Sequence, residues 1–263
     1  MSKMKCIIAI GGGEIGRAGK QYETKQIDEE IVRLANIKLN NENKKDSPKL
    51  LFIGFGGKSY EDEYFEIIKN NFQKLGCEAN ILKYKDIANE RIVKDFILTA
   101  DIIYIGGGNT INLIRALKNN NIDKLLYKAY KKGTIMSGIS AGAICWCKCG
   151  ISDSRRYIND PKKYTRASGL DWIDIVLCPH YSSETRRQRW AKKIMKRTFK
   201  IPCIALDNGV ALEIIDNKYK IIKSTENGNA RKLYWSKGRY NTEVLTETGN
   251  KKELTNKTLT RSK

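Results

Sequence analysis

The pentapeptide Gly138-Ile139-Ser140-Ala141-Gly142 is the tightest local constraint on how this chain can fold. The apolar run Thr134-Ile135-Met136 leads into it and Ala143-Ile144 leaves it, so it joins a strand to a helix. Gly-x-Ser-x-Gly in that setting is a nucleophile elbow, a turn so sharp that a Cβ at either glycine would crowd it. The serine hydroxyl is then held at the strand end above a helix N-terminus. There, backbone N–H groups and the helix dipole can stabilise a developing oxyanion. The plain alternative is a tight turn carrying a solvated serine.

A serine hydroxyl is a weak nucleophile unless a base takes its proton, and histidine is the side chain best tuned for that near neutral pH. The chain has one histidine, His180, in Leu177-Cys178-Pro179-His180-Tyr181. It follows the apolar run Ile173-Asp174-Ile175-Val176-Leu177 and so also sits at a strand end. If Ser140 has a histidine base, it is His180.

Around these residues, short apolar runs alternate with longer amphipathic ones. Strands are predicted at 5–10, 49–53, 78–82, 102–105, 134–137, 173–177 and 203–206, and helices at 25–37, 60–75, 110–119 and 185–197. Continuous apolar strands alternating with helices imply an α/β fold: a three-layer sandwich with a mainly parallel sheet covered on both faces. Beyond Leu206, the stretches 209–215, 218–223 and 231–235 are short and strand-like, and predict a small antiparallel C-terminal extension. One domain over residues 1–245 is expected, with a polar, frayed tail over 246–263.

Glycine-rich turns follow three of the strands: Gly11-Gly12-Gly13, Gly54-Phe55-Gly56-Gly57 and Gly106-Gly107-Gly108. Ligands of open α/β sheets bind at such strand ends. Gly11-x-Gly13-x-x-Gly16 has the dinucleotide-binding spacing, but the second strand lacks the accompanying acidic residue.

The formal charge is +20, with lysine spread along the whole chain and no nucleic-acid-binding signature. The field favours acidic small molecules and polyanions, while nucleic acid is not the expected partner. Seven scattered cysteines read as reduced thiols of a cytoplasmic protein. Cys145, Cys147 and Cys149 lack zinc-ligand spacing, and neither a metal nor a cofactor is expected. No N-terminal run is long enough for a membrane span, and the start reads as a first strand.

Tyr104-Ile105-Gly106-Gly107-Gly108-Asn109-Thr110, the Ser140 elbow and Cys178-Pro179-His180-Tyr181 together resemble the peptidase E family of serine peptidases. The resemblance runs in order over residues 7–215. It implies a fold like the class I glutamine amidotransferases (flavodoxin-like) and a cytoplasmic peptidase acting on short peptides. Dipeptidase E cleaves after an N-terminal aspartate, and the related cyanophycinases cleave β-linked Asp-Arg units.

Carried over, Ser140 is the nucleophile and His180 the base. Gly108 and Ala141 supply the oxyanion N–H groups, and Asn109 fixes the substrate or the turn. The resemblance implies an acid as third member. Asp153 fits the dipeptidase location and is the first choice, with Asp207 second. In the cyanophycinases the acid comes from a later strand end, where the matching position here is Asn208 with Asp207 beside it. The segment Glu184-Thr185-Arg186-Arg187-Gln188-Arg189 could offer a bidentate contact to a substrate carboxylate, for which Arg186 is the choice.

The expected reaction is hydrolysis of short peptides through an acyl-enzyme. The alternatives are another serine hydrolase, an esterase or amidase, and a catalytically silent ligand-binding protein of the same fold. A homo-oligomer is compatible with the sequence.

Overall fold

Strands that are apolar at every position must be covered on both faces, and this requirement sets the architecture. The computed structural model describes residues 3–57, 60–155, 164–197 and 201–255. The first half alternates strands and helices: β1 (Cys6–Ile10), α1 (Lys25–Asn41), β2 (Lys49–Ile53), α2 (Glu61–Lys74), β3 (Glu78–Leu82), α3 (Glu90–Thr99), β4 (Ile102–Ile105), α4 (Thr110–Asn119), α5 (Ile122–Lys131) and β5 (Ile135–Ile139). The second half is strand-rich: α6 (Ala141–Trp146), β6 (Cys147–Ser152), β7 (Thr165–Ser168), β8 (Ile173–Cys178), α7 (Thr185–Arg197), β9 (Cys203–Leu206), β10 (Val210–Ile215), β11 (Lys218–Lys223), β12 (Ala230–Ser236), β13 (Arg239–Val244), β14 (Thr248–Asn250) and α8 (Lys251–Thr255).

Two mixed sheets form, where a single mainly parallel sheet was expected. The larger has the order β14-β11-β10-β1-β5-β4-β2-β3. Its strands from β1 to β3 run parallel, and β10, β11 and β14 add an antiparallel edge. The smaller has the order β13-β12-β9-β8-β6-β7 and claims the predicted strands at 173–177 and 203–206. The reason is the shortness of α6. A crossover back to a parallel neighbour needs a dozen or more residues, whereas α6 has six and runs directly into β6. The chain therefore leaves the first sheet at the elbow and founds a second.

Apolar layers follow. Helices α1 and α2 cover one face of the large sheet through Ile27, Ile31, Phe65, Ile68 and Phe72. Helices α3 to α6 cover the other, and the inner face of the small sheet joins that cluster through Ile173, Ile175 and Leu177. Helix α7 closes the outer face of the small sheet with Ala191 and Met195. All seven cysteines are buried and unbridged, and burial pushes the Cys145 and Cys147 thiols up. No helix among the described residues is long and apolar enough to cross a membrane.

Strand β2 connects outward to β3, while its neighbour β4 connects the other way to β5. Their C-terminal ends therefore leave a crevice at a topological switch point. The turn at Asp207-Asn208-Gly209 carries the chain from β9 in the small sheet to β10 in the large one.

The segment expected to fray from Thr246 is instead docked up to residue 255. Strand β14 pairs with β11, Leu254 is fully buried, and Lys232 Nζ donates to the Glu253 carbonyl. Residues 256–263 of the expected tail lie outside the described residues. Replacing a buried leucine by alanine costs about 2–5 kcal/mol. Leu254→Ala should lower the unfolding free energy by that order in a denaturant titration, whereas a frayed tail would give no change.

Candidate active site

The elbow forms for the steric reasons read from the sequence. A Cβ on Gly138 would lie 2.6 Å from the Gly142 carbonyl group, and one on Gly142 only 2.0 Å from the Ile105 carbonyl oxygen. Ser140 takes φ 56°, ψ −108°, a strained conformation for a residue with a side chain. Its N–H donates to the Ile10 carbonyl at 3.0 Å, which ties the turn to the end of β1.

His180 is also left-handed, at φ 52°, and its N–H donates to the Gly11 carbonyl at 2.9 Å. Its ring packs against Gly12: a Cβ there would sit 2.2 Å from His180 Cε1 and 2.7 Å from Asn208 Oδ1. Gly12 is thus the bed of an imidazole, while a Cβ on Gly11 would meet Leu206 and the Asp207 carbonyl and one on Gly13 would meet Gly209 N and Glu23, so packing accounts for the three glycines without a nucleotide.

The two ring nitrogens each have one partner. His180 Nε2 is 2.8 Å from Ser140 Oγ, and Nδ1 is 2.8 Å from Asn208 Oδ1. Since an amide oxygen only accepts, Nδ1 carries the proton and Nε2 presents its lone pair to the serine hydroxyl.

The residue against Nδ1 is Asn208, where Asp153 or Asp207 was expected. The Asp207 carboxylate is 5% exposed and fully engaged elsewhere. It takes Arg231 Nη1 at 2.8 and 3.0 Å, Ser182 N at 3.1 Å, Ser182 Oγ at 2.5 Å and Asn229 N at 2.9 Å. Asp207 braces the turn while Asn208 faces the ring. Asp153 lines the cleft beside Ser140 without touching the imidazole ring.

Ala141 opens α6, whose first helical hydrogen bond runs from Ile144 N to the Ser140 carbonyl. The preceding N–H groups, Ala141's included, have no helical acceptor. In the facing turn after β4, Gly106 N donates to the Ile53 carbonyl, Gly107 N to the Tyr64 hydroxyl and Asn109 N to the Gly56 carbonyl. Among the described residues this leaves the Gly108 N–H without a protein acceptor. Asn109 fixes the turn: Oδ1 accepts from Asn112 N at 3.1 Å as a helix cap, and Nδ2 donates to the Ser154 carbonyl at 3.0 Å. With both ends of its amide committed, it holds backbone rather than substrate.

Ser140 and His180 open into a cleft of about 910 Å³ at the switch point, and a smaller cavity of about 340 Å³ reaches them from the Tyr64 side. Arg186, the expected carboxylate contact, is exposed on α7. The arginine of this segment that lines the cleft is its neighbour Arg187, 3% exposed, bonded to Glu184 at 2.9 Å and to the Ile151 carbonyl at 2.7 Å, with its guanidinium over the Tyr164 ring. Helix phase decides between adjacent arginines, and the buried Ala191, four residues on, marks the inward side.

Burial, then the Arg187 charge, push the His180 pKa below its usual 6.5, opposed by the Asn208 hydrogen bond and the Glu184 and Asp153 carboxylates. A histidine with a lowered pKa is neutral, and able to accept a proton, throughout the neutral range.

A family model for peptidase family S51 matches residues 7–222. The chain is 29% identical over 231 residues to the uncharacterized peptidase YgaJ of Bacillus subtilis (strain 168), covering 88% of this chain and 92% of that one. It is 26% identical over 205 residues to peptidase E of Nostoc sp. (strain PCC 7120), covering 74% and 81% of the two chains. The crystal structure of a peptidase from an acI-B1 actinobacterium superposes with a TM-score of 0.69 at 17% identity, over 95% of this chain and 98% of that one.

The protonation state of His180 can be read through the reactivity of Ser140 toward a fluorophosphonate. Labelling should fall on the acid side with a midpoint below 6.5. Asn208→Asp places a carboxylate against Nδ1–H, favours imidazolium and should move that midpoint upward. An unmoved midpoint would contradict the assigned contact.

Proposed function

The chain belongs to peptidase family S51, and from that membership we propose a serine-type hydrolysis of short peptides with Ser140 as nucleophile and His180 as its base. The observation that carries this reading is the unbroken relay of 2.8 Å contacts from Ser140 Oγ through the His180 ring to Asn208.

Ser140 Oγ attacks the scissile carbonyl carbon as its proton passes to His180 Nε2. The carbonyl oxygen becomes an oxyanion between the Ala141 and Gly108 N–H groups, which have no competing acceptor among the described residues. Collapse of the tetrahedral intermediate breaks the C–N bond, and His180 returns the proton to the leaving amine. A water then attacks the acyl-Ser140 ester with His180 again as base, releasing the carboxylic acid and restoring the hydroxyl.

Asn208 fixes the ring and its tautomer but brings no charge. The Glu184 and Asp153 carboxylates both favour the protonated ring from a distance, so part of the work usually done by a triad acid falls to them. This gives Asp153 an electrostatic role in place of the direct contact expected of it. Loss of the Asn208 amide in Asn208→Ala should release the ring and its tautomer and lower kcat, read with the peptide turned over by wild type.

Short peptides with an N-terminal aspartate are the first substrates to try, since relatives carry the name peptidase E and the chain's +20 charge attracts acidic molecules. Wild-type protein should hydrolyse a peptide from a panel containing Asp-Leu, β-Asp-Arg and neutral controls. Ser140→Ala should lower kcat by about 10⁴-fold or more. Turnover that survives Ser140→Ala, or cleavage of aryl esters alone, would overturn the reading.

A further inference from the structure

The cleft does not end at the nucleophile. Its wall continues along one face of α4, where Asn112, Arg115 and Asn119 follow one another at helical spacing. The cleft is electrically graded along this wall. At the near end, Asp153 lies beside Ser154, which is tied to the start of α4 through Asn109 Nδ2 and Ile111 N. The arginine at that end, Arg187, is already committed to Glu184 and the Ile151 carbonyl. At the far end stands Arg115, exposed to the cleft and without an ion pair or hydrogen-bond acceptor among the described residues.

We propose that Arg115, flanked by Asn112 and Asn119, is a carboxylate-binding subsite that selects peptides carrying an acidic group at a distance from the scissile bond. This rests on the peptidase reading above and adds a length rule to it. Arg115 is six residues beyond the Asn109 cap, roughly 9 Å along the helix at 1.5 Å per residue. An extended peptide advances roughly 3.3 Å per residue, so a carboxylate there belongs about three residues from the bond that is cut. A guanidinium offers a planar fork that matches a carboxylate in bidentate fashion, and the flanking amides can both donate to and accept from peptide backbone. A dipeptide is too short to span both ends.

The test uses C-terminally amidated peptides with one scissile residue and a single Glu or Gln walked through successive positions on either side of it. Wild-type turnover should favour Glu over Gln at one position about three residues from the cut, by roughly ten- to a hundredfold in kcat/KM, with the difference in KM. Arg115→Gln should abolish that preference, and Arg115→Lys should restore part of it. Equal turnover of Glu and Gln peptides at every position, or a preference that persists in Arg115→Gln, overturns the subsite. Affinities of the same peptides for Ser140→Ala, measured by calorimetry, separate the two claims. If no peptide is turned over, the peptidase reading fails, while the Glu-over-Gln affinity difference and its loss on adding Arg115→Gln still decide the subsite.

Discussion

Three successive carbonyls at the end of β1 hold the site together. Ile10 O accepts from Ser140 N, Gly11 O from His180 N and Gly12 O from Gly209 N, at 2.9 to 3.0 Å. Ser140, His180 and the turn carrying Asn208 come from the ends of β5 and β8 and the link between two sheets, yet all dock on one short ledge. Two of these residues sit in unfavourable backbone conformations, Ser140 at φ 56° and His180 at φ 52°. Such strain costs on the order of 1–3 kcal/mol per residue and persists only where surrounding bonds over-determine it. The ledge supplies those bonds. It must also be free of side chains, because the imidazole ring occupies the space that a Cβ at Gly12 would need.

The two sheets matter for the same reason. A single parallel sheet would carry the chain after the elbow back across its face and leave His180 and Asn208 on distant strand ends. Because α6 is short, the chain builds a second sheet whose strands β8 and β9 end beside the ledge. The return from β9 to β10 then crosses the site itself. Asp207 braces that crossing through Arg231, Ser182 and Asn229, which is what frees Asn208 to face the histidine.

Much of this was legible in the sequence. Elbow glycines, a single histidine at a strand end and the alternation of apolar runs located Ser140, His180 and the first five strands, since each signal is local and steric. What was not legible depends on which way a side chain points. Asp153, Asp207 and Asn208 all stand in plausible places, and chemistry alone favours a carboxylate. Only the turn geometry shows that Asp207 is used structurally. Arg186 and Arg187 differ by one step of helix phase, which fixed the wrong one. The second sheet was missed because β6 and β7 carry cysteine, lysine and serine rather than a clean apolar run, and the fate of the C-terminal segment turned on one apolar residue, Leu254.

The account centres on a neutral imidazole held with its proton on Nδ1 against the Asn208 oxygen, leaving Nε2 free to take the serine proton. Because the chain has one histidine, ¹⁵N-histidine labelling gives a single pair of ring resonances to interpret. At pH 7 the account predicts the neutral Nδ1–H tautomer, converting to imidazolium only below pH 6.5. A spectrum at pH 7 showing the Nε2–H tautomer, or an already protonated ring, would contradict it.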